Sequence, residues 1–109
     1  MILIVSSSVT LTMGYHLPVN KMRLVQIMKA LVDPRRFEIL ERIATSGGEM
    51  SCVDLRAKFP ISRATMSHHV SELIAAGLIE KRRKSKYIFL RMRWETWNGY
   101  LRYLKRIGP

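Results

Sequence analysis

Two stretches of this sequence carry side chains that could do chemistry. The first is Ser62-Arg63-Ala64-Thr65-Met66-Ser67-His68-His69-Val70, followed by Ser71. At helical spacing Met66, Val70, Leu73 and Ile74 form one apolar stripe, and Arg63, Ser67, His68 and Ser71 lie opposite it. Small donors and one long cation suit a helix that enters the major groove of a duplex. Bulky residues would hold its backbone away, whereas Ser, Thr and Arg reach base edges or phosphates. The second stretch, Lys81-Arg82-Arg83-Lys84-Ser85-Lys86, has five cations in six positions. Such a run is ordinarily a solvated loop, but about ten residues after a capped polar helix it reads as a hairpin straddling a phosphate backbone. His68 falls on the polar face, so a base or phosphate contact is expected of it. His69, one step round, lies nearer the apolar stripe and reads as a partly buried structural residue. No paired carboxylates, nucleophile–base pair or phosphate loop is present, which argues against an enzyme.

The whole composition agrees with a polyanionic partner. The 109 residues set one domain as the prior, and 48% hydrophobic against 25% charged residues is the balance of a chain that buries a core. Nineteen Lys and Arg against eight Asp and Glu give a formal charge of +11, and the pI is near 10.6. The excess is concentrated: residues 77–109 carry +8, residues 21–76 carry +3, and residues 1–20 carry no charged side chain. Cys52 is the single cysteine, so an intrachain disulfide and a cysteine-clustered zinc module are excluded.

Residues 1–18 read as an appendage and residues 19–109 as the domain. The run Met1-Ile2-Leu3-Ile4-Val5 has no cationic flank, no small-residue cleavage pattern follows it, and it is far shorter than the ~20 apolar residues of a membrane span. A short strand, a disordered tail and a start codon placed too early, with Met13 and Met22 as alternatives, all remain open. No membrane span and a cytoplasmic location are expected.

The elements that must position the two stretches can be read from caps and periods. Asn20 caps a helix through Met22, Val25, Met28, Leu31 and Val32, and Asp33-Pro34 opens a second with Phe37, Leu40 and Ile43 or Ala44 on its inner face. Ser51 to Asp54 has the form of a capping box and begins a short helix with Leu55 inward, which Phe59-Pro60 ends. Ser62 caps the polar helix and Gly77 stops it. Two strands, Leu78–Arg82 and Lys86–Arg91, are expected around a turn at Arg83-Lys84-Ser85, and a last helix over about Trp94 to Ile107 carries Trp94, Trp97, Leu101 and Leu104 on one stripe. The order, mostly α with one small β-hairpin (α-α-α-α-β-β-α), is that of a winged helix-turn-helix.

Residues 30–92 resemble the ArsR/SmtB family of winged-helix transcriptional repressors. Ala30-Leu31-Val32-Asp33-Pro34-Arg35-Arg36 is similar to that family's A-L-x-D-P-x-R segment, and Ser62 to Val70 to its S-x-x-T-[VM]-S-H-H-[LV] helix. Ala76-Gly77-Leu78-Ile79 is similar to its A-G-L-[IV] step, and Tyr87-Ile88-Phe89-Leu90 to the returning strand. The resemblance implies double-stranded DNA as partner, with Ser62, Arg63, Ala64, Ser67 and His68 on the DNA and Arg82, Arg83, Lys84 and Lys86 on its phosphates. It also implies a homodimer built from the first and last helices. Val25, Met28, Trp94, Trp97, Leu101 and Leu104 are the expected interface, in keeping with the enrichment of aromatics at such surfaces.

The departures from the family are informative. Its thiolate sensor motif C-V-C-D-L corresponds to Ser51-Cys52-Val53-Asp54-Leu55 here, which leaves one soft ligand, off the usual position. The family's second metal site needs Asp and His on the last helix, and Trp94 to Ile107 has neither. No metal site and no cofactor are therefore expected, and Cys52 reads as a small buried hydrophobe. Ser85 replaces the usual wing-turn glycine, predicting a wider turn, and Gly99 should weaken the last helix unless close packing at a dimer seam requires it. The expected function is a sequence-specific autorepressor reading an inverted repeat. The alternatives are a non-specific nucleic-acid binder, or a repressor controlled by a membrane or protein partner through the N-terminal segment.

Overall fold

The structure, a computed structural model, describes residues 19–109. The appendage read at residues 1–18 lies outside the described residues. Five helices and three strands follow in the order α1 (Lys21–Leu31), α2 (Pro34–Thr45), β1 (Glu49–Ser51), α3 (Cys52–Ala57), α4 (Arg63–Ala75), β2 (Ile79–Lys84), β3 (Tyr87–Met92) and α5 (Trp94–Lys105). Each of the first four helices starts where a short polar side chain can satisfy an orphan backbone N–H. Asn20 accepts from the Arg23 amide at 2.9 Å, Asp33 from Arg36 at 3.0 Å, Ser51 from Asp54 at 3.0 Å and Ser62 from Thr65 at 3.1 Å. Helix α5 starts at Arg93 without a side-chain cap.

The core lies between α1, α2, α4 and the sheet. Ile27, Ile39, Ile43, Leu55, Leu73, Leu78, Ile79 and Leu90 are its largest fully buried side chains, each contributing about 1.5–3 kcal/mol by leaving water. The apolar stripes of α1 and α2 are sorted by the core, and one expectation, that for α2, is corrected. Helix α1 buries Leu24, Ile27 and Ala30, while Met22, Val25, Met28 and Val32 are exposed. This helix has two apolar stripes, and the one conspicuous in the sequence faces outward. In α2 Ile39 takes the inner place expected for Phe37, which is exposed. Residues 39, 40 and 43 face inward together at helical spacing, and Phe37 falls off that arc.

The sheet is antiparallel with β3 in the middle, in the order β1-β3-β2. The sequence pointed to two strands; β1 is the third, pairing Met50 with Leu90 and Glu49 with Arg91. Three residues show too little alternation to announce a strand, and the pairing that makes β1 one comes from forty residues away. The hairpin is also longer and its turn tighter than expected. Lys84 pairs with Tyr87, so only Ser85 and Lys86 form the turn. Ser85 itself adopts φ +57°, supplying the left-handed residue that a two-residue hairpin needs, so the missing glycine does not widen it. Gly99 is explained by contact within the chain: a Cβ there would sit 2.8 Å from Val19 Cγ2.

Candidate nucleic-acid interface

Helix α4 presents the polar face to solvent. Met66, His69, Val70 and Leu73 are buried, whereas Ser62, Arg63, Ala64, Thr65, Ser67, His68 and Ser71 are exposed. With α3 before it, α4 is the second helix of a helix-turn-helix. Ser62 holds the first turn together, since its Oγ accepts from the Thr65 amide and donates to Thr65 Oγ1 at 2.9 Å. That arrangement leaves the hydroxyl hydrogen of Thr65, a residue outside the expected set, as a free donor of the first turn in addition to the Arg63 guanidinium.

The helix is held from behind at two points. His69 is 7% exposed, and its Nδ1 accepts from Arg36 Nε at 3.4 Å, which places the imidazole proton on Nε2. Arg36 also donates to the Ala30 carbonyl at 3.2 Å and lies 3.9 Å from Asp33, tying α4 to the α1–α2 junction. Burial pushes the His69 pKa below its ordinary value, and the Arg36 charge adds to this against the pull of Asp33. At the other end Arg23 of α1 donates from Nη1 to the Ala75 carbonyl at 3.1 Å. A cation there satisfies one of the helix's last carbonyls and complements its dipole.

Strand alternation sorts the wing cations into two sets. Lys81 and Arg83 share the sheet face of Ile79, while Arg82 and Lys84 share the other face with Glu80. On that second face Glu49 Oε1 lies 3.7 Å from Arg82 Nη1, and its Oε2 lies 3.9 Å from Lys84 Nζ. Arg91 and Glu80 form a further pair, with Arg91 Nε donating at 2.9 Å. Lys84 Nζ also sits over the Phe89 ring, 5.4 Å from its centroid. Among the described residues, none of Lys81, Arg83, Lys86 and Arg63 has a carboxylate within ion-pair distance. Lys81 is a free wing cation outside the expected set. Counting by twos along β2 from buried Ile79 could have found it.

Of the expected interface residues, Val25, Met28, Trp94 and Leu101 are exposed. Trp97 is half-buried against the chain's own core, 5.9 Å from the Tyr100 ring centroid, and Leu104 is half-buried. Cys52 is half-buried beside the core, and burial raises its thiol pKa, which lowers its reactivity. Among the described residues, no three His, Cys, Asp or Glu side chains come together as a metal site, and no helix is long and apolar enough to cross a membrane.

Comparison with known proteins decides the family. The family model for a helix-turn-helix domain matches residues 31–82. An uncharacterised HTH-type transcriptional regulator of Bacillus subtilis, YceK, is 37% identical over 76 residues, covering 70% of this chain and 76% of that protein. The arsenical resistance operon repressor of the same organism is 33% identical over 76 residues, covering 70% of this chain and 71% of the repressor. An ArsR-like transcriptional regulator from Rhodococcus superposes with a TM-score of 0.73 at 31% identity, over 80% of each chain.

The chain belongs to the ArsR family. Its fold is the family's winged helix-turn-helix, with β2 and β3 as the wing, and its role is that of a DNA-binding transcriptional regulator rather than an enzyme.

Proposed function

We propose that this ArsR-family protein is a sequence-specific, homodimeric repressor acting in the cytoplasm on its own gene through an inverted-repeat operator. The observation that carries this reading is the exposed face of α4, small and polar, beside a wing with unpaired cations. Arg63, Ala64, Ser67 and His68 read base edges. Ser62 secures the first turn, and Thr65 donates from it. Arg83, Lys86 and Lys81 contact phosphates directly, and Arg82 and Lys84 do so after release from Glu49. The dimer forms through α1 and α5, whose exposed Val25, Met28, Trp94 and Leu101, extended by Met22, supply apolar surface, with Trp97 and Leu104 behind them. Regulation does not run through the family's two metal sites, because Cys52 is a lone soft ligand and α5 has neither Asp nor His.

The test is anisotropy of labelled DNA from upstream of the gene, titrated beside a scrambled duplex at several salt concentrations. The reading expects the upstream duplex to bind some 10³-fold or more tightly than the scrambled one. Equal affinities with a steep salt dependence would replace it with non-specific nucleic-acid binding.

A further inference from the structure

We propose that Glu49 sets the sequence-independent part of this protein's DNA affinity by neutralising two of the wing's cations; this rests on the DNA-binding reading above. Glu49 lies on β1, outside both stretches that the sequence marks for DNA. Its backbone pairs with Arg91 on the central strand, and its side chain reaches across the outward sheet face to the far strand. One carboxylate thereby serves both Arg82 and Lys84, an oxygen to each, at 3.7 and 3.9 Å. On the same face Glu80 pairs with Arg91, and Lys84 Nζ sits over the Phe89 ring, so Glu80 is already engaged and Glu49, which also faces Arg91, is the carboxylate that meets the two wing cations.

The pairs are partly solvated, with side-chain exposures of 40% for Arg82, 55% for Lys84 and 26% for Glu49. Partly exposed pairs add little to folding, so their removal leaves the fold intact. Their effect appears when a polyanion arrives. A phosphate approaching Arg82 or Lys84 competes with a carboxylate already in place and is repelled by it. The wing therefore presents Lys81, Arg83 and Lys86 at full strength and its other two cations at a discount. Because the discount acts on phosphates, it falls on every sequence alike.

The experiment uses the full chain and a random-sequence duplex, with binding measured across a salt series. Glu49→Gln keeps the side-chain length and frees both cations. Random-duplex affinity is expected to rise at least about fivefold at low salt, with a slope of log affinity against log salt steeper by about one to two. Adding Arg82→Gln and Lys84→Gln to that variant is expected to abolish the gain. An unchanged affinity and slope in Glu49→Gln overturns the proposal. So does a gain that survives the loss of both cations, since the carboxylate would then act through its general charge alone. An unmutated protein that binds no duplex in any salt overturns the DNA-binding reading itself, an outcome distinct from both.

Discussion

At the residue scale, the pair of histidines divides its labour along the helix, one toward solvent and one toward Arg36. His69 titrates with a pKa below its ordinary 6.5 because burial disfavours the charged form. The folded chain therefore binds fewer protons there than the unfolded chain. Stability linked to His69 is full above about pH 6.5 and is lost as pH falls from there toward the lowered pKa, at up to ~1.4 kcal/mol per pH unit. Asp33 is shifted in the same direction for a different cause: the Arg36 amide lowers its carboxyl below 3.8, so its contribution fails only in stronger acid. His69→Asn keeps an acceptor near Nδ1 without the titration. Thermal unfolding between about pH 7 and 5 should show a shallower fall in Tm for this variant, and an equal fall in both proteins would remove His69 as the cause. The sequence already set His69 apart by its place on the helical wheel. Its partner Arg36 was not legible, since 33 residues separate them and only the packing of α2 against α4 brings them together.

At the scale of elements, the helices were readable because their signals are local. Asn20, Asp33, Ser51 and Ser62 each accept from the amide three residues on, a pattern that needs no knowledge of the fold. What escaped depends on distant partners: β1 exists because β3 lies beside it, and the second apolar stripe of α1, Leu24 and Ile27, is the one the core takes. The wing turn offers a direct test. Ser85 at φ +57° carries the strain that side chains meet in the left-handed region. Ser85→Gly removes that strain at some cost in unfolded-chain entropy. A net gain of about 0.5 kcal/mol, or roughly 2–4 °C in Tm, is expected from a thermal melt. A lowered Tm would show that the serine side chain stabilises the turn.

At the scale of the whole molecule, the proposed dimer explains the apolar side chains that α1 and α5 leave in solvent. Leu101→Asp places a charge at a position 45% exposed in the single chain, so the monomer should still fold. Light scattering is expected to give the dimer's mass for the unmutated protein and the monomer's mass for the variant, and a variant that stays dimeric would move the interface elsewhere. One contact gives this assembly a further property. Arg23 lies on α1, the helix proposed to meet the partner, and grips the last turn of α4, the helix proposed to meet the bases. No flexible linker intervenes between the seam and the reading head. The molecule would then work as a rigid caliper, its two jaws set at one separation. Inserting a base pair between the half-sites would swing one of them round the duplex, out of register with a jaw that has nothing with which to follow.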